Sequence, residues 1–345
     1  MDLNSRDGTE RLRAGRRNFL RAAGGALAAL ASAPSGHTAA TTSPAAFGGV
    51  FPIAFSPFTP DNKLDLDGLA AQVAFCNRGG VHGLIWPQLA SAWSTLSDRE
   101  RLDGTGAILS AGKGRGTTLV IGVQASDMAA TERYAKHAEK LGADALISLP
   151  PPGVTDEPTL LDFYTRVGRM TALPLFAQST GSMSVELLTR MYQTIPTFRH
   201  VKDEAGNPLA RVAEIRNRTE GQLRVFSGFG VQTMITEMQL GFAGHCPYTS
   251  LADLYSSAWN SWHAGKQREA FDMFGRIQAV SSMMPVNTFD ILIARGVFKP
   301  GTRNRQAPPV PGAAPVPTRG PVSPQLSIEE VRKTLQTFLA PWLKA

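Results

Sequence analysis

The feature that most constrains the fold is a repeated alternation of short β-rich runs and amphipathic helical stretches from Gly48 onward. The eight β-rich runs span residues 49–56, 83–87, 117–123, 143–149, 173–178, 198–202, 223–228 and 241–246. Most are apolar throughout, as expected of parallel strands that are buried on both faces. Eight strands alternating with helices predict an α/β protein, a (β/α)8 TIM barrel with extra C-terminal helices. A doubly wound sheet is the alternative, although no Gly-x-Gly-x-x-Gly motif follows the first run.

Helix start and stop signals separate the β-rich runs. Acidic, Ser or Thr residues precede several helical stretches, and glycine soon follows several of their ends. The predicted helices between strands span residues 66–78, 128–141, 157–170, 184–194, 208–218 and 232–240. Those predicted after the last strand span residues 251–264, 267–283, about 287–296, and 327–343.

The N-terminus has the pattern of a targeting segment. Arg16 and Arg17 precede an apolar run of small residues over 22–33, which is too short to span a bilayer. The arginine pair followed by x-Phe-Leu resembles a twin-arginine signal, which is an address read by a receptor. Residues 1–40 are therefore predicted to be a twin-arginine-type signal peptide and linker, with cleavage between 31 and 40; an amphipathic helix is the alternative. Export to the periplasm or secretion follows, without a stable membrane anchor.

The remainder of the chain divides into three predicted segments. Residues 46–298 form the barrel, with C-terminal helices beginning near residue 251. Residues 299–325 are rich in proline and are predicted to be an extended surface excursion. Residues 326–345 form a terminal helix.

Composition argues against several classes of function. The formal net charge is +7, but six arginines and only three acidic residues occur in the first 40 positions. The rest is mildly basic without a Lys/Arg run, so nothing indicates a nucleic-acid partner. Two cysteines, Cys76 and Cys246, do not make a disulfide framework, and two separately buried thiols are favoured. The six histidines lack metal-ligand spacing with acids or cysteines, so no metal site is predicted.

Polar residues follow the predicted strands, at the end of a barrel where reactive groups lie. The candidates for substrate binding are Gln88, Ser91, Gln124, Ser179, Thr180 and Ser227, and Lys202, His245 and Tyr248 also lie at strand ends. This set consists mainly of neutral hydrogen-bonding groups with one amine. It contains no carboxylate pair of the kind that glycoside hydrolysis requires.

The lone amine, Lys202, suits imine chemistry. A lysine in a mostly apolar barrel mouth loses hydration, which favours the free amine that attacks a ketone. The resulting iminium accepts electrons as a neighbouring bond is made or broken. A structural salt bridge with Asp203 or Glu204 is the alternative, and the residues alone do not decide between the two.

Several segments resemble the dihydrodipicolinate synthase and N-acetylneuraminate lyase family in order and spacing. They are "FPIAFSPFTPDNKLDLDGL", "GVHGLIWPQLASAWSTLSDRER", "VKDEAGN", "VFSGFG", "GFAGHCPYTS" and "RGPVSPQLSIEEVRKTL". The resemblance covers roughly residues 48–298 and 318–343. It implies that Lys202 is the imine-forming lysine of a class I aldolase-type enzyme, and that the protein forms a homo-oligomer, a dimer or tetramer.

The sequence departs from this family at three strand ends. The loop after strand 2, usually rich in threonine, reads Gln-Leu-Ala-Ser-Ala over residues 88–92. The strand-4 position of the family's proton-relay tyrosine is Pro152, and Ser179 lies near the place of an arginine in the synthases. Tyr248 is the candidate replacement for the tyrosine, and His245 is a weaker one.

These observations predict a lyase that acts on a pyruvate-like 2-oxo acid through a Schiff base on Lys202. The alternative is an exported barrel with lost or weak catalysis that binds a small keto acid. The altered loops leave the identity of the substrate open.

Overall fold

Eight short parallel strands form the centre of the fold. The computed structural model describes residues 47–229, 231–305 and 325–344, all within the compact unit Ser43–Ala345. The strands are β1 (Gly49–Val50), β2 (Gly83–Trp86), β3 (Thr118–Gly122), β4 (Ala145–Ser148), β5 (Leu175–Ser179), β6 (Phe198–Asp203), β7 (Arg224–Ser227) and β8 (Gly244–His245). Their order in the sheet is β1-β8-β7-β6-β5-β4-β3-β2. A parallel bridge between Ile53 and Ile85 joins the two ends of this order, so the predicted (β/α)8 barrel is confirmed.

Eleven α-helices are found in the described residues. Seven follow strands β1 to β7 in turn: α1 (Leu66–Arg78), α2 (Asp98–Gly112), α3 (Met128–Leu141), α4 (Glu157–Gly168), α5 (Val185–Thr194), α6 (Pro208–Arg218) and α7 (Met234–Leu240). Four come after β8: α8 (Ala252–His263), α9 (Gln267–Met283), α10 (Thr288–Ala294) and α11 (Ile328–Leu339). None of these helices has the length and apolar character needed to cross a membrane.

Capping explains where several helices begin and end. The side chains of Asp65, Asp127 and Ser184 accept hydrogen bonds from the first-turn N–H groups of α1, α3 and α5, as N-cap residues do. Gly142 ends α3 with φ of 85°, in the left-handed region that glycine adopts without steric cost. The predicted boundaries are therefore correct to within a few residues for these helices.

Proline shortens two predicted elements. The first strand, predicted over 49–56, is a regular strand only at Gly49–Val50, because Pro52 has no N–H for the ladder. The predicted helix over 327–343 ends at Leu339 and continues as a 3-10 turn over Ala340–Trp342. Pro341 lies within that turn and lacks the N–H that another α-helical turn needs.

The predicted segments outside the barrel are described only in part. The predicted signal and linker, residues 1–40, lie outside the described residues, and so do residues 306–324 of the proline-rich segment. Residues 299–305 pack at the barrel, where the backbones of Phe58 and Arg303 exchange hydrogen bonds of 2.9 and 3.1 Å.

Alternate strand residues divide the core into two layers. One apolar cluster fills the barrel interior and includes Phe51, Ile85, Val120, Phe176 and Phe226. A larger cluster fills the space between strands and helices. Successive side chains on a strand point to opposite faces, so neighbours in sequence at a strand end reach different environments. Cys76 and Cys246 are both buried and free, as favoured from the sequence.

His200 is a neutral base inside the barrel. Its ring stacks on Phe176 at 4.2 Å between centroids, and its Nε2 accepts a hydrogen bond of 3.1 Å from the Phe47 N–H. Burial, with the charges of Arg224 and Arg199, lowers the pKa of His200 to about 3.

We expect this histidine to make stability fall as the medium is acidified. The unfolded chain takes up a proton near the ordinary histidine pKa of about 6.5, whereas the folded protein does not until about 3. The unfolding free energy should therefore fall as pH drops from about 6.5 to about 3. Urea titrations at several pH values measure it. A His200→Phe variant should lose less stability over that interval; an equal loss in both proteins would contradict this assignment.

Candidate active site

A cavity opens at the C-terminal ends of the strands. Its volume is about 960 Å³, enough for a small organic ligand. Its polar lining in the described residues comprises Gln88, Gln178, Lys202, Glu204, Gln232, Tyr248, Ser250, Tyr255, Gln278, Ser281, Ser282 and Thr288, together with Cys246. Strand ends, the loop after β2 and the helices α8 to α10 all contribute, so the C-terminal helices form part of the site.

Lys202 lies deep in this cavity. It is the fifth residue of β6, pairs in register with Gln178 of β5 and Phe226 of β7, and is 5% exposed. Its Nζ forms an ion pair with Oε1 of Glu204. The other oxygen of that carboxylate accepts a 2.6 Å hydrogen bond from Nε2 of Gln178. The amine is therefore buried, accessible from the cavity and held next to one carboxylate.

Asp203, the other salt-bridge candidate, belongs to a different environment. Its carboxylate accepts a 3.0 Å hydrogen bond from Nε of Arg211 and another from the hydroxyl of Ser179. Arg211 also donates to the Met183 carbonyl at 2.9 Å. This buried group ties β5, β6 and α6 together, and it leaves Glu204 as the partner of Lys202.

Gln88, in the loop after β2, presents a buried side-chain amide to the cavity. Gln124 donates to the Pro87 carbonyl at 2.8 Å, and its own oxygen accepts from Nε2 of Gln88 at 3.1 Å. A carbonyl only accepts, so this order assigns both amide orientations. Oε1 of Gln88 is left without a partner in the described structure, and so is Oε1 of Gln178. Both side chains line the cavity, where a ligand hydroxyl or N–H would satisfy these acceptors.

A second polar cluster lies between strands β7 and β8 and helix α7. Glu237 of α7 accepts hydrogen bonds from Ser227 at 2.8 Å and from Thr233 at 2.7 Å. Nδ1 of His245 lies 2.7 Å from its other oxygen. Burial alone raises the pKa of Glu237, but the hydrogen bonds from His245, Thr233 and Ser227 outweigh it, so the pKa is lowered overall. The serine and histidine both bind the carboxylate rather than each other, so they do not form a nucleophile–base pair.

Phenol and thiol groups also line the cavity wall. Tyr248 is 53% exposed, and its ring lies 5.3 Å from that of Phe55. Tyr255 lies deeper, its hydroxyl 3.4 Å from Oε1 of Gln278, and burial raises its pKa to about 12. Burial also raises the pKa of Cys246 to about 12, which keeps that thiol protonated at neutral pH. Within the described ranges, no cluster of His, Cys, Asp and Glu has the geometry of a metal site.

The structure brings together only some of the candidates from the sequence. Lys202, Gln88 and Tyr248 line the cavity. His245 is not part of its described lining, and neither are the five other substrate-binding candidates: Ser91, Gln124, Ser179, Thr180 and Ser227. Four of these side chains are engaged elsewhere, for example Ser91, which donates to the Ala54 carbonyl at 2.5 Å. Pro152 is exposed and also lies outside this lining.

Three lining residues are not among the cavity groups predicted from the sequence. Glu204 is predicted only as a salt-bridge partner, and the helical residues Tyr255 and Gln278 have no predicted role. The two-residue periodicity of the strands was the sequence signal for which side chains at the strand ends face the cavity. Gln178 and Lys202 share the interior face, whereas Ser179, Asp203 and Ser227 alternate to the outer face.

The sequence of this chain is similar to that of known proteins. The model of the "Dihydrodipicolinate synthetase family" matches residues 46–312. The 4-hydroxy-tetrahydrodipicolinate synthase of Rhizobium meliloti (strain 1021) is 29% identical over 178 residues, which are 49% of this chain and 59% of that protein. The matched part thus spans about three fifths of that relative. An uncharacterized DapA-like lyase of Thermococcus onnurineus (strain NA1) is 24% identical over 65% of this chain and 78% of its own.

Solved structures share the fold at lower identity. The sialic acid aldolase of Ruminococcus gnavus superposes with a TM-score of 0.71 at 15% identity, covering 86% of this chain and 99% of that one. A dihydrodipicolinate synthase from Rhodopseudomonas palustris gives 0.67 at 19% identity, covering 84% and 97%. Both likenesses show the barrel architecture with its C-terminal extension.

Proposed function

Because this chain belongs to the dihydrodipicolinate synthetase family, we propose that it is an aldolase-type lyase that acts on a 2-oxo acid through a Schiff base on Lys202. The observation that supports this most is the position of one buried amine in the cavity at the strand ends. The amine attacks the keto carbon, water leaves, and the iminium accepts electrons from the bond that breaks. No metal or organic cofactor takes part in this scheme.

The cavity also indicates which groups the substrate carries in addition to its 2-oxo acid end. Gln88 and Gln178 each offer a buried acceptor oxygen without a partner in the described structure. A substrate with hydroxyl or N–H groups beyond its 2-oxo acid end satisfies them, since an unmade buried hydrogen bond costs about 1–3 kcal/mol. Tyr248, at the exposed rim, is proposed to contact the same ligand and to be one candidate for the proton relay.

Borohydride trapping tests the proposal. The protein is incubated with each member of a panel of 2-oxo acids, beginning with pyruvate, reduced with borohydride and digested. We expect mass spectrometry to locate a reduced adduct on Lys202. The other lysines serve as internal controls, and the absence of an adduct with every member of the panel would overturn the assignment.

A second reading is a keto-acid binding protein with weak catalysis. It is supported by Pro152, which occupies the position where the family's relay tyrosine is expected and cannot transfer a proton. Turnover of any substrate above roughly 1 s⁻¹, the lower end for ordinary enzymes, would argue against this reading.

Export and self-association complete the proposal. Residues 1–40, with Arg16 and Arg17, are proposed to direct the protein to the periplasm or outside the cell. Replacing both arginines by lysine should retain the precursor in the cytoplasm, as immunoblots of cell fractions would show; unchanged export would contradict the signal. A homo-oligomer, a dimer or tetramer, is proposed from the family and is measured by sedimentation velocity.

A further inference from the structure

We propose that Glu204 is the group that moves protons at Lys202, acting in turn as base and acid. This inference rests on the proposed imine chemistry and adds a second catalytic residue to it. It answers the question left by Pro152, because it supplies a proton carrier from a different strand of the barrel.

Glu204 is in direct contact with the Lys202 amine. Oε1 of Glu204 touches the Lys202 amine, and Oε2 accepts the 2.6 Å hydrogen bond from Gln178. Glu204 is also the one carboxylic acid among the described residues of the cavity lining. Its side chain is 22% exposed, so a ligand in the cavity can reach it. A candidate acid or base must first lie within hydrogen-bond distance of the proton it moves, and Glu204 satisfies that condition.

The absence of a side chain at Gly228 leaves space for the carboxylate of Glu204. A Cβ added to Gly228, just after β7, would lie 2.7 Å from Cδ of Glu204 and closer still to Oε1 and Cγ. Real Cβ atoms do not approach other atoms this closely, so glycine at this position lets the carboxylate lie against the strand end. The backbone N–H of Glu204 also donates to the Ser179 hydroxyl at 3.3 Å. The carboxylate is therefore bound by Lys202 of β6 and Gln178 of β5, and Gly228 leaves room for it beside the end of β7.

The other titratable groups of the cavity are less suited to the role. Burial raises the pKa of Tyr255 and of Cys246 to about 12 in each case, far from the value that favours proton transfer near neutral pH. Tyr248 lies at the exposed rim. Asp203 is bound to Arg211 on the outer face.

Glu204 accepts and returns one proton in the course of imine formation. The carboxylate takes a proton from the Lys202 ammonium, and the free amine adds to the keto carbon to give a carbinolamine. Glu204 returns the proton to the carbinolamine hydroxyl, which leaves as water, and the iminium forms. The carboxylate then removes a proton from the carbon next to the iminium carbon, giving an enamine and a protonated Glu204. That carbon is two bonds from Nζ, within reach of an oxygen that touches Nζ.

Exchange of the methyl protons of pyruvate tests the last step without knowledge of the natural substrate. In D₂O, enamine formation replaces these protons by deuterium, and proton NMR follows the loss of the methyl signal. We expect Glu204→Gln to slow exchange by about 10²–10⁴-fold, the usual contribution of a positioned acid or base. The borohydride adduct on Lys202 should still accumulate on long incubation, and Glu204→Asp should restore part of the exchange.

The pH profile and a second variant separate catalysis from structure. The dependence of the exchange rate on acid should change in Glu204→Gln, which a purely structural ion pair does not predict. Gly228→Ala keeps the carboxylate but displaces it, and should slow exchange as well. This second variant also serves if Glu204→Gln does not fold.

The outcomes distinguish this inference from the proposal beneath it. Absence of an adduct on Lys202 in the unaltered protein would refute the Schiff base itself. Two other outcomes would refute only the role of Glu204. In the first, the adduct forms and Glu204→Gln exchanges the methyl protons within about threefold of the unaltered rate. In the second, the adduct forms but the unaltered protein shows no exchange.

Discussion

Replacing Lys202 by alanine is expected to abolish the borohydride adduct and to lower turnover by roughly 10³-fold or more, because Lys202 is the one amine among the described residues of the cavity lining. The amine is buried, and its neighbours Gln178 and Phe226 on the adjoining strands do not form imines. Adduct formation is read by mass spectrometry, and turnover by release of pyruvate or another 2-oxo acid.

Lys202→Arg is the matched control. Its guanidinium keeps a positive charge next to Glu204 but does not form a stable imine. We expect this variant to fold as the unaltered protein does and to lack the adduct. If the arginine variant turned over substrate at an unaltered rate, Lys202 would be a salt-bridge residue. If both variants bound 2-oxo acids unchanged and the unaltered protein showed no turnover, the binding-protein reading would be preferred.

The barrel could be predicted from the sequence because its signals are local. Asp65 and Asp127 cap helices at the expected positions, and apolar runs mark strands buried on both faces. The same logic explains the errors at element ends. Pro52 and Pro341 interrupt regular hydrogen bonding, and in both cases the apolar pattern continues past the proline.

The site was predictable where it depends on strand position and less so where it depends on side-chain direction. Lys202 at the end of β6 follows from topology alone. Whether Gln178 or Ser179 accompanies it depends on which face each occupies, and a shift of one residue reverses the answer. The observed register pairs Gln178 with Lys202 and Ser179 with Asp203, so the amide belongs to the cavity and the hydroxyl to the outer salt bridge.

The cavity residues on distant helices could not be predicted from local sequence patterns. Tyr255 and Gln278 reach the cavity because α8 and α9 fold back over the strand ends. Their position depends on tertiary contacts across the chain, which periodicity does not encode. The placement of the Glu204 carboxylate is equally non-local, because it depends on the space left at Gly228, just after β7.

A buried ion pair fixes those C-terminal helices to the barrel. Arg295, just after α10, donates to both carboxylate oxygens of Asp253 in α8, at 2.7 and 2.6 Å. The side chains are 3% and 0% exposed. The same guanidinium donates to the Ser250 carbonyl at 3.0 Å and lies 4.7 Å from the ring centroid of Phe75 in α1. One side chain thus joins three helices next to a residue, Ser250, that lines the cavity.

Arg295→Met is therefore expected to lower the free energy of unfolding by about 3–5 kcal/mol, because it leaves the carboxylate of Asp253 buried without its counter-ion. Urea unfolding followed by circular dichroism measures the loss. Replacing Asp253 by leucine in the same protein should recover most of it, since the uncompensated charge is then removed. Arg99→Met breaks an exposed pair with Asp103 and should change stability little. A loss as small as that of Arg99→Met would mean that solvent reaches Asp253 in the variant, and that apolar packing holds the C-terminal helices over the cavity.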